Sequence, residues 1–408
     1  MDPTGMVGIT TMIAKKNNEN CQYKLPTWPY FAEDEINEVV KVLKSGKINY
    51  WTGKECSLFE KEFADFVGTK YAISLANGTV ALELALHALG IGPGDDVIVP
   101  SRTFIASASS VVAIGAQPIV ADIDPISQNI TAETISQVLT PNTKAIIVVH
   151  LAGWPCEMDA ILKFAAKYKL KVIEDCAQAH GAEYRGKRVG SFGDTAAFSF
   201  CQDKIMTTGG EGGMFLTNDE EIWRRAWAYK DHGKNPSKVG SNISQAGFRW
   251  VHESFGTNFR MTEMQAAIGR VQLRKLPAWL IVRERNASLF YSQLQNISAL
   301  DCVRPPSHIK HAYYKCYVFV KLDKLKDGWN RNRIVEELNV RGVPSACGSC
   351  GEIYLEKAFV DAGLQPKKRF PNAQKLSETS LVFLVHPTLQ EKDIVWMSSV
   401  IREVFARI

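Results

Sequence analysis

Residues 195–213 read TAAFSFCQDKIMTTGGEGG, a mostly apolar run that is followed by Lys204 and a glycine-rich turn. The apolar run predicts a buried strand, from about Ala196 to Phe200, that delivers the lysine to a loop. Upstream, residues 171–175 read KVIED, a second apolar strand that ends on Asp175. A lysine and an aspartate at neighbouring strand ends suit pyridoxal 5'-phosphate: the amine forms a Schiff base, and the carboxylate keeps the pyridine nitrogen protonated.

Helical and strand patterns alternate with short connections from about residue 34 to residue 217. Short, fully apolar strands separated by helices predict an α/β fold with a mostly parallel sheet that is covered on both faces. Such sheets bind ligands outside the carboxyl ends of their strands. Four polar or aromatic candidates fall at such ends: Asn77, Phe104, Asp175 and Lys204.

The length of 408 residues predicts two folded units and a terminal extension. We expect residues 1–25 to be an N-terminal extension that is disordered or not native to the chain. Residues 26–275 would form the large cofactor-binding domain, and residues 276–408 a smaller α/β domain. A long helix around Thr262 to Leu276 would connect the two.

Composition and charge narrow the class of protein. An apolar fraction of 46% and a charged fraction of 22% are ordinary for a globular protein. The net charge of +5 is spread along the chain, so no nucleic-acid surface is expected. Nine cysteines without an even framework, no apolar leader and no membrane-length run predict a reduced, cytoplasmic protein. Cys347 and Cys350 form a single C-x-x-C without a second pair, so no metal site is expected.

Several candidate residues also have ordinary structural interpretations. Asn77 followed by Gly78 and Thr79 could cap a helix or cradle a phosphate at its N-terminus. Phe104 could belong to the core or stack on a cofactor ring. Ser199 could face a neighbouring strand or bind a phosphate. From the residues alone these alternatives stay open.

Ordered motifs spread over nearly the whole chain resemble those of the DegT/DnrJ/EryC1/StrS family of sugar aminotransferases. The resemblance implies the fold-type I fold of pyridoxal-phosphate enzymes, with a mostly parallel sheet of the seven-stranded type flanked by helices and a smaller C-terminal α/β domain. The motifs that carry it are Trp51 to Gly53, Asn77 to Leu82, Pro100 to Phe104, Val149 to Gly153, Glu174 to Gly181, Phe198 to Phe200, Gly210 to Gly213 and Asn258 to Met261.

The resemblance assigns roles to residues by position. Lys204 would bind the cofactor covalently, Asp175 would pair with the pyridine nitrogen, and Gln178 would contact the ring hydroxyl. Phe104 would stack on the ring. The phosphate would be held by Gly78, Thr79, Val80 and Ser199, and by Asn258 of the other subunit of a homodimer with shared active sites. Weaker candidates for substrate contact are Trp51, His180 and His311.

The resemblance also implies the reaction. An amino donor, expected to be L-glutamate, would supply the amino group for a nucleotide-linked ketosugar, expected to be a 4-keto-6-deoxyhexose. The setting would be the biosynthesis of amino sugars for surface polysaccharides such as a lipopolysaccharide O-antigen. Basic residues such as Arg249 or Arg260 are candidates for the diphosphate. A 3-keto sugar or a cyclitol as acceptor stays open.

Two features depart from the family pattern, and several residues argue against three rival functions. The glycine turn has one more residue between Lys204 and Glu211 than the family leads us to expect, and Gln202-Asp203 is not the commonest pair before the lysine. Lys204 argues against relatives that replace this lysine by histidine and dehydrate the sugar. A non-catalytic sugar-nucleotide-binding relative would not need Lys204, Asp175 and Gln178 together. The glycine turn argues against a cysteine desulfurase or threonine aldolase.

Overall fold

A computed structural model describes residues 23–239 and 250–408. Most of the expected N-terminal extension, residues 1–22, and the candidate Arg249 lie outside the described residues. Within the described part of the chain, no helix is long and apolar enough to cross a membrane.

Short apolar runs form most of the strands. In chain order these are β1 (Tyr71–Leu75), β2 (Asp96–Pro100), β3 (Gln117–Ala121), β4 (Thr143–Val149), β5 (Lys171–Asp175), β6 (Glu183–Tyr184), β7 (Lys187–Arg188), β8 (Thr195–Ser199), β9 (Gly213–Thr217), β10 (Leu300–Asp301), β11 (Ile309–Lys310), β12 (Cys316–Val320), β13 (Ser345–Ala346) and β14 (Ser380–Phe383).

The central sheet of the described chain has seven strands in the order β1-β9-β8-β5-β4-β2-β3. Strands β8, β5, β4, β2 and β3 run parallel, and β9 pairs antiparallel with both β1 and β8. The predicted mostly parallel α/β sheet is therefore confirmed. The antiparallel strand β9 was not predicted, because its residues follow directly on the glycine-rich turn.

Helices cover both faces of this sheet and continue into the C-terminal part. They are α1 (Glu33–Ser45), α2 (Glu55–Val67), α3 (Gly78–Ala88), α4 (Ala106–Ala113), α5 (Ala132–Ser136), α6 (Met158–Tyr168), α7 (Glu220–Lys230), α8 (Pro236–Val239), α9 (Glu263–Leu294), α10 (Arg331–Val340), α11 (Lys357–Asp361), α12 (Pro371–Thr379) and α13 (Glu391–Phe405).

Consecutive residues of each central strand are buried in different cores. Ile173 and Ala197 pack in the cluster that contains the apolar side of α3, whereas Val172 and Phe198 pack in clusters on the opposite face. This alternation follows from the two-residue period of a strand. It places Asp175 and Ser199, each two residues beyond a residue of the first cluster, on the same face as α3.

A second, antiparallel sheet has the strand order β10-β12-β14-β13, and α10 and α13 pack near it. The long helix α9 begins where we expected it but extends to Leu294, with Pro277 inside it. The expected boundary between residues 275 and 276 thus falls within one continuous helix, beside that proline. The division into two domains stays a prediction.

Candidate active site

Lys204 and Asp175 meet at the carboxyl ends of neighbouring parallel strands. Strand β8 pairs with β5 so that Ala197 lies opposite Asp175, and Lys204 follows β8 by a short turn. The Lys204 side chain is 16% exposed, and its positive charge acts on the Asp175 carboxyl group. The two residues that the sequence singled out are therefore brought together, with the lysine amine reachable from solvent.

The carboxylate of Asp175 is fixed by two hydrogen bonds. Oδ2 accepts from the Ser107 hydroxyl at 2.8 Å, and Oδ1 accepts from the Ala177 N–H at 3.1 Å. Burial raises the pKa of Asp175, while these two hydrogen bonds and the charge of Lys204 work in the opposite direction. A buried carboxylate in this state has capacity for one more positive partner, such as a protonated ring nitrogen. Sequence reasoning did not find Ser107, because it lies 68 residues away along the chain.

The N-terminus of α3 forms a cradle next to strand β8. A Cβ built on Gly78 would lie 2.6 Å from the Ser199 Cβ, so only glycine allows helix and strand to approach this closely. Asn77 caps the helix, and its Oδ1 accepts from the Val80 N–H at 3.0 Å. That bond engages the N–H of Val80, whereas Gly78 and Thr79 contribute the first N–H groups of the helix, which lack intrahelical partners. The geometry therefore supports Gly78, Thr79 and Ser199 as phosphate ligands more than Val80.

Phe104 and Gln178 follow the carboxyl ends of strands β2 and β5, and Gln178 lies three residues after Asp175. Phe104 is 47% exposed, so its ring does not belong to the core and is available for stacking. The Oε1 atom of Gln178 accepts from the Ala152 N–H at 2.7 Å, which fixes the amide and leaves its NH₂ group to donate to a ligand. Both placements agree with the roles that the resemblance implies.

A group that the sequence did not reveal lies around Lys204 on the side of the C-terminal sheet. The hydroxyl of Tyr314 donates to the Asp203 carboxylate, which lies 3.9 Å from Lys204 Nζ and 3.9 Å from Lys315 Nζ. Trp28 Nε1 donates to the Lys204 carbonyl at 2.9 Å. No local pattern could have found these partners, because they come from segments more than 100 residues apart.

The predicted substrate-contact histidines both pack against aromatic rings, but among the described residues only His311 has a hydrogen bond to its ring, and neither ring nitrogen of His180 has a hydrogen-bond partner. His180 is fully buried beside Phe198 and Phe200, and burial lowers its pKa to about 3. His311 stacks on Tyr313 and accepts a hydrogen bond from the Tyr313 N–H at 2.7 Å. These contacts give no support to direct substrate binding by either ring, and they suit neutral imidazoles that shape the surrounding loops.

Trp51 and Asn258 lie outside the Lys204 group. Trp51 packs edge-on against Trp227, with Lys234 Nζ 4.4 Å from its ring centre, and makes no ring contact with the Lys204 group in the described residues. Asn258 is exposed, and its Oδ1 accepts from the Arg260 N–H at 3.3 Å. An exposed amide is available to a second subunit, as the resemblance implies, and that role stays a prediction.

Three potential metal ligands cluster on the opposite face of β5, namely His150, Glu174 and Cys176. The polar atoms of His150 and Glu174 are already engaged. His150 Nδ1 accepts from the Cys156 N–H at 3.0 Å, and Nε2 lies 3.0 Å from Glu174 Oε2. Glu174 also accepts three backbone N–H groups between residues 190 and 193. These hydrogen bonds indicate that the cluster stabilises the turn between residues 190 and 193 and does not bind a metal ion.

The residues present fit pyridoxal 5'-phosphate in each of its parts. Gly78, Thr79 and Ser199 surround a helix N-terminus suited to a phosphate. Phe104 offers a free ring face, Asp175 offers a fixed carboxylate, and Lys204 offers an accessible amine. The donor set therefore matches a cofactor that combines a phosphate, an aromatic ring, a basic ring nitrogen and an aldehyde.

Comparisons with known proteins agree with this site. The model of the DegT/DnrJ/EryC1/StrS aminotransferase family matches residues 29–402. An aminotransferase from Psychrobacter cryohalolentis with a known X-ray structure is 54% identical, with a TM-score of 0.92 over 94% of this chain and 100% of that chain.

Two relatives have names that specify a nucleotide sugar. A GDP-perosamine synthase from Caulobacter vibrioides is 43% identical over 70% of this chain and 74% of its own length. A UDP-N-acetyl-3-dehydro-α-D-glucosamine 3-aminotransferase from Acidithiobacillus ferrooxidans is 35% identical over 86% of this chain and 88% of its own length.

Proposed function

The chain belongs to the DegT/DnrJ/EryC1/StrS aminotransferase family, and we propose that it transfers the amino group of L-glutamate to a nucleotide-linked 4-keto-6-deoxyhexose. Its membership makes it a pyridoxal-phosphate-dependent aminotransferase that acts on nucleotide-linked or related ketosugars. The observation that carries the proposal is the Lys204–Asp175 pair beside the cradle at the start of α3. The non-catalytic alternative loses its support.

The relatives are the support for a 4-keto acceptor, because the motifs of the sequence do not distinguish C-3 from C-4 amination. The GDP-perosamine synthase is more similar to this chain than the 3-aminotransferase is, at 43% against 35% identity. Amination of a 3-keto sugar is the second candidate, since the names of two relatives specify a 3-amino product or a 3-aminotransferase. A cyclitol acceptor is the third. Products of this kind would enter surface polysaccharides such as an O-antigen.

Each residue of the site has a separate role in the proposed reaction. When bound, pyridoxal phosphate supplies a ring that withdraws electrons from the carbon bearing the amino group. Asp175 holds its negative charge at a fixed place through Ser107 and Ala177, where it favours a protonated ring nitrogen. The Nζ atom of Lys204, once free, takes the proton from the donor carbon and returns it at a neighbouring atom. Gln178 and Phe104 orient the ring.

We place the enzyme in the cytoplasm as a homodimer with shared active sites. The described cysteines are free thiols, as expected for a reducing compartment. The exposed Asn258 would reach the phosphate cradle of the partner subunit. Sedimentation of the purified protein should therefore give twice the chain mass. Asn258→Ala should weaken cofactor retention without changing that mass.

The substrate proposal is tested by a product assay with matched acceptors. The purified protein, loaded with pyridoxal phosphate, is given L-glutamate and, in separate reactions, nucleotide-linked 4-keto-6-deoxyhexoses, a nucleotide-linked 3-keto sugar and a keto-cyclitol. We expect the 4-keto compounds to show the highest kcat/KM, with one 2-oxoglutarate formed per amino sugar. Lys204→Ala serves as the control and should form no product. Preferential amination of the 3-keto sugar would replace the proposal by the second candidate.

A further inference from the structure

We propose that Asp203 is a positioning residue for Lys204: its carboxylate orients the lysine amine and favours the protonated form of that amine, so that a proton taken from the donor carbon is held on Nζ until it is returned. The inference deepens the proposed function, because it assigns the control of the proton that Lys204 must carry. It concerns a residue that the family pattern does not fix, since Gln202-Asp203 departs from the commonest pair before the lysine.

The geometry of Asp203 is set from three sides. The carboxylate oxygen Oδ1 lies 3.9 Å from Lys204 Nζ, and Oδ2 lies 3.9 Å from Lys315 Nζ. The Tyr314 hydroxyl also donates to Oδ2. Tyr314 is buried, and its ring centre lies 5.1 Å from Lys204 Nζ and 4.7 Å from Lys315 Nζ. The tyrosine thus separates the two ammonium groups and directs one carboxylate oxygen to each of them.

The carboxylate is ionised in this environment. Burial opposes ionisation of Asp203, but Lys204, Lys315 and the Tyr314 hydrogen bond together hold its pKa below its ordinary value. Burial in turn lowers the pKa of Lys315 to about 8, against the favourable effect of Asp203. A negative charge at Asp203 favours a proton on Lys204, and a positive charge at Lys315 disfavours it.

Other groups around the pair do not replace Asp203 in this role. Asp175, the other carboxylate near Lys204, is engaged by Ser107 and Ala177 and would meet the ring nitrogen. Burial holds His180 and His386 neutral, with pKa values of about 3. The titratable or charged groups that face the pair from the neighbouring elements are Asp175, His180, Cys201, Arg283, Tyr314, Lys315 and His386.

A small cavity adjoins the back of this arrangement. Its lining includes Asp203, Tyr314, Lys315, Trp28 and Arg283. Arg283 is 1% exposed, and its Nη1 donates to the Tyr313 carbonyl at 3.2 Å. No carboxylate within the described residues pairs with this guanidinium. Asp203 is therefore the carboxylate that lies closest to both Lys204 and Lys315 among the described residues, and Arg283 lines the same cavity.

The test uses competitive labelling of the cofactor-free protein with acetic anhydride, because an amine reacts only when it has lost its proton. The acetylation of Lys204 is followed by mass spectrometry over a range of pH. In Asp203→Asn we expect the pH of half-maximal labelling to fall by about one pH unit. In Lys315→Met we expect a rise of similar size. The exposed Lys310, which pairs with Glu183, provides the control variant Lys310→Met, with no shift at Lys204.

Opposite shifts in the two variants support the inference, because a merely structural role would move both profiles alike or neither. An unchanged profile in Asp203→Asn overturns it. Should that variant not fold, Lys315→Met decides alone, and the absence of a rise then overturns the inference. The labelling needs neither cofactor nor substrate, so its outcome is independent of whether the protein aminates a sugar. Failure of the amination assay would leave a positive labelling result standing.

Discussion

Two neighbouring carboxylates on strand β5, Glu174 and Asp175, point to opposite faces of the central sheet, and their pKa values are shifted in opposite directions. Burial opposes ionisation of both side chains. At Glu174 the hydrogen bonds from His150 and from backbone N–H groups outweigh that effect and lower the pKa. At Asp175 burial dominates, and the pKa is raised.

The difference comes from the number of donors that each carboxylate receives. Glu174 accepts from His150 and from the N–H groups of Gly190, Phe192 and Gly193. Because His150 Nδ1 accepts from the Cys156 N–H, Nε2 carries the ring proton and donates it to Glu174. Asp175 accepts only from Ser107 and Ala177 among the described residues. A carboxylate whose oxygens accept hydrogen bonds from several protein donors stabilises the fold. A carboxylate with fewer protein donors can accept a further donor from a ligand.

The largest effect is expected at Asp175. Asp175→Asn removes the charge that favours a protonated ring nitrogen, so turnover should fall by about 10²- to 10⁴-fold. Its raised pKa means that the ionised form costs stability at neutral pH, so the variant should melt no earlier than the wild type without cofactor. Activity assays and thermal melts of the cofactor-free protein check both statements. Normal turnover of this variant would contradict the assignment of Asp175 as the carboxylate that takes part in the reaction.

Glu174→Gln should give the opposite result, a loss of stability. Replacing the carboxylate exchanges strong acceptors for one amide oxygen and leaves buried N–H groups between residues 190 and 193 without a full partner, at a cost of about 3 kcal/mol. The lowered pKa also predicts the pH range. This contribution is complete above the unfolded value near 4.5 and is lost as the pH falls through the lower folded value.

Denaturant unfolding at pH 7 and at pH 4 measures the Glu174 effect. The wild type should lose stability between the two values, and the variant should lose less over the same range. Equal acid sensitivity of the two proteins would assign the acid loss to other groups. Asp175→Asn is the matched control, since the substitution is one residue away on the same strand.

The smallest effect is expected for Ser107→Ala, which sharpens the comparison by making Asp175 still less satisfied. Losing one hydrogen bond to a charged group should cost about 1.5–3 kcal/mol of carboxylate stabilisation and raise the Asp175 pKa further. The lower limb of the pH–rate profile should therefore move to higher pH. Thr103→Ala, which removes a hydroxyl that contacts Ser107 but not Asp175, is the control. Identical pH–rate profiles for the wild type, Ser107→Ala and Thr103→Ala would show that Ser107 does not affect the ionisation of Asp175.

The sequence predicted the strand ends that form the proposed cofactor site but not the residues that contact them. Apolar runs ending in Asp175 and leading to Lys204 are local patterns, and the parallel sheet follows from their alternation with helices. Strand β9 was missed, since glycines precede it and its antiparallel pairing depends on strands far along the chain. The contacts of Ser107 and Tyr314 join residues separated by 68 and 111 positions, and these form only when the chain is folded.

The most direct test of the central assignment is covalent mapping of the cofactor. The protein is incubated with pyridoxal phosphate, reduced with borohydride, digested and sequenced by mass spectrometry. We expect a single phosphopyridoxyl group on Lys204, and we expect prior addition of L-glutamate to abolish the labelling, because the amino donor would displace the lysine. Labelling of a different lysine, or labelling of Lys204 that glutamate leaves unchanged, would contradict the account.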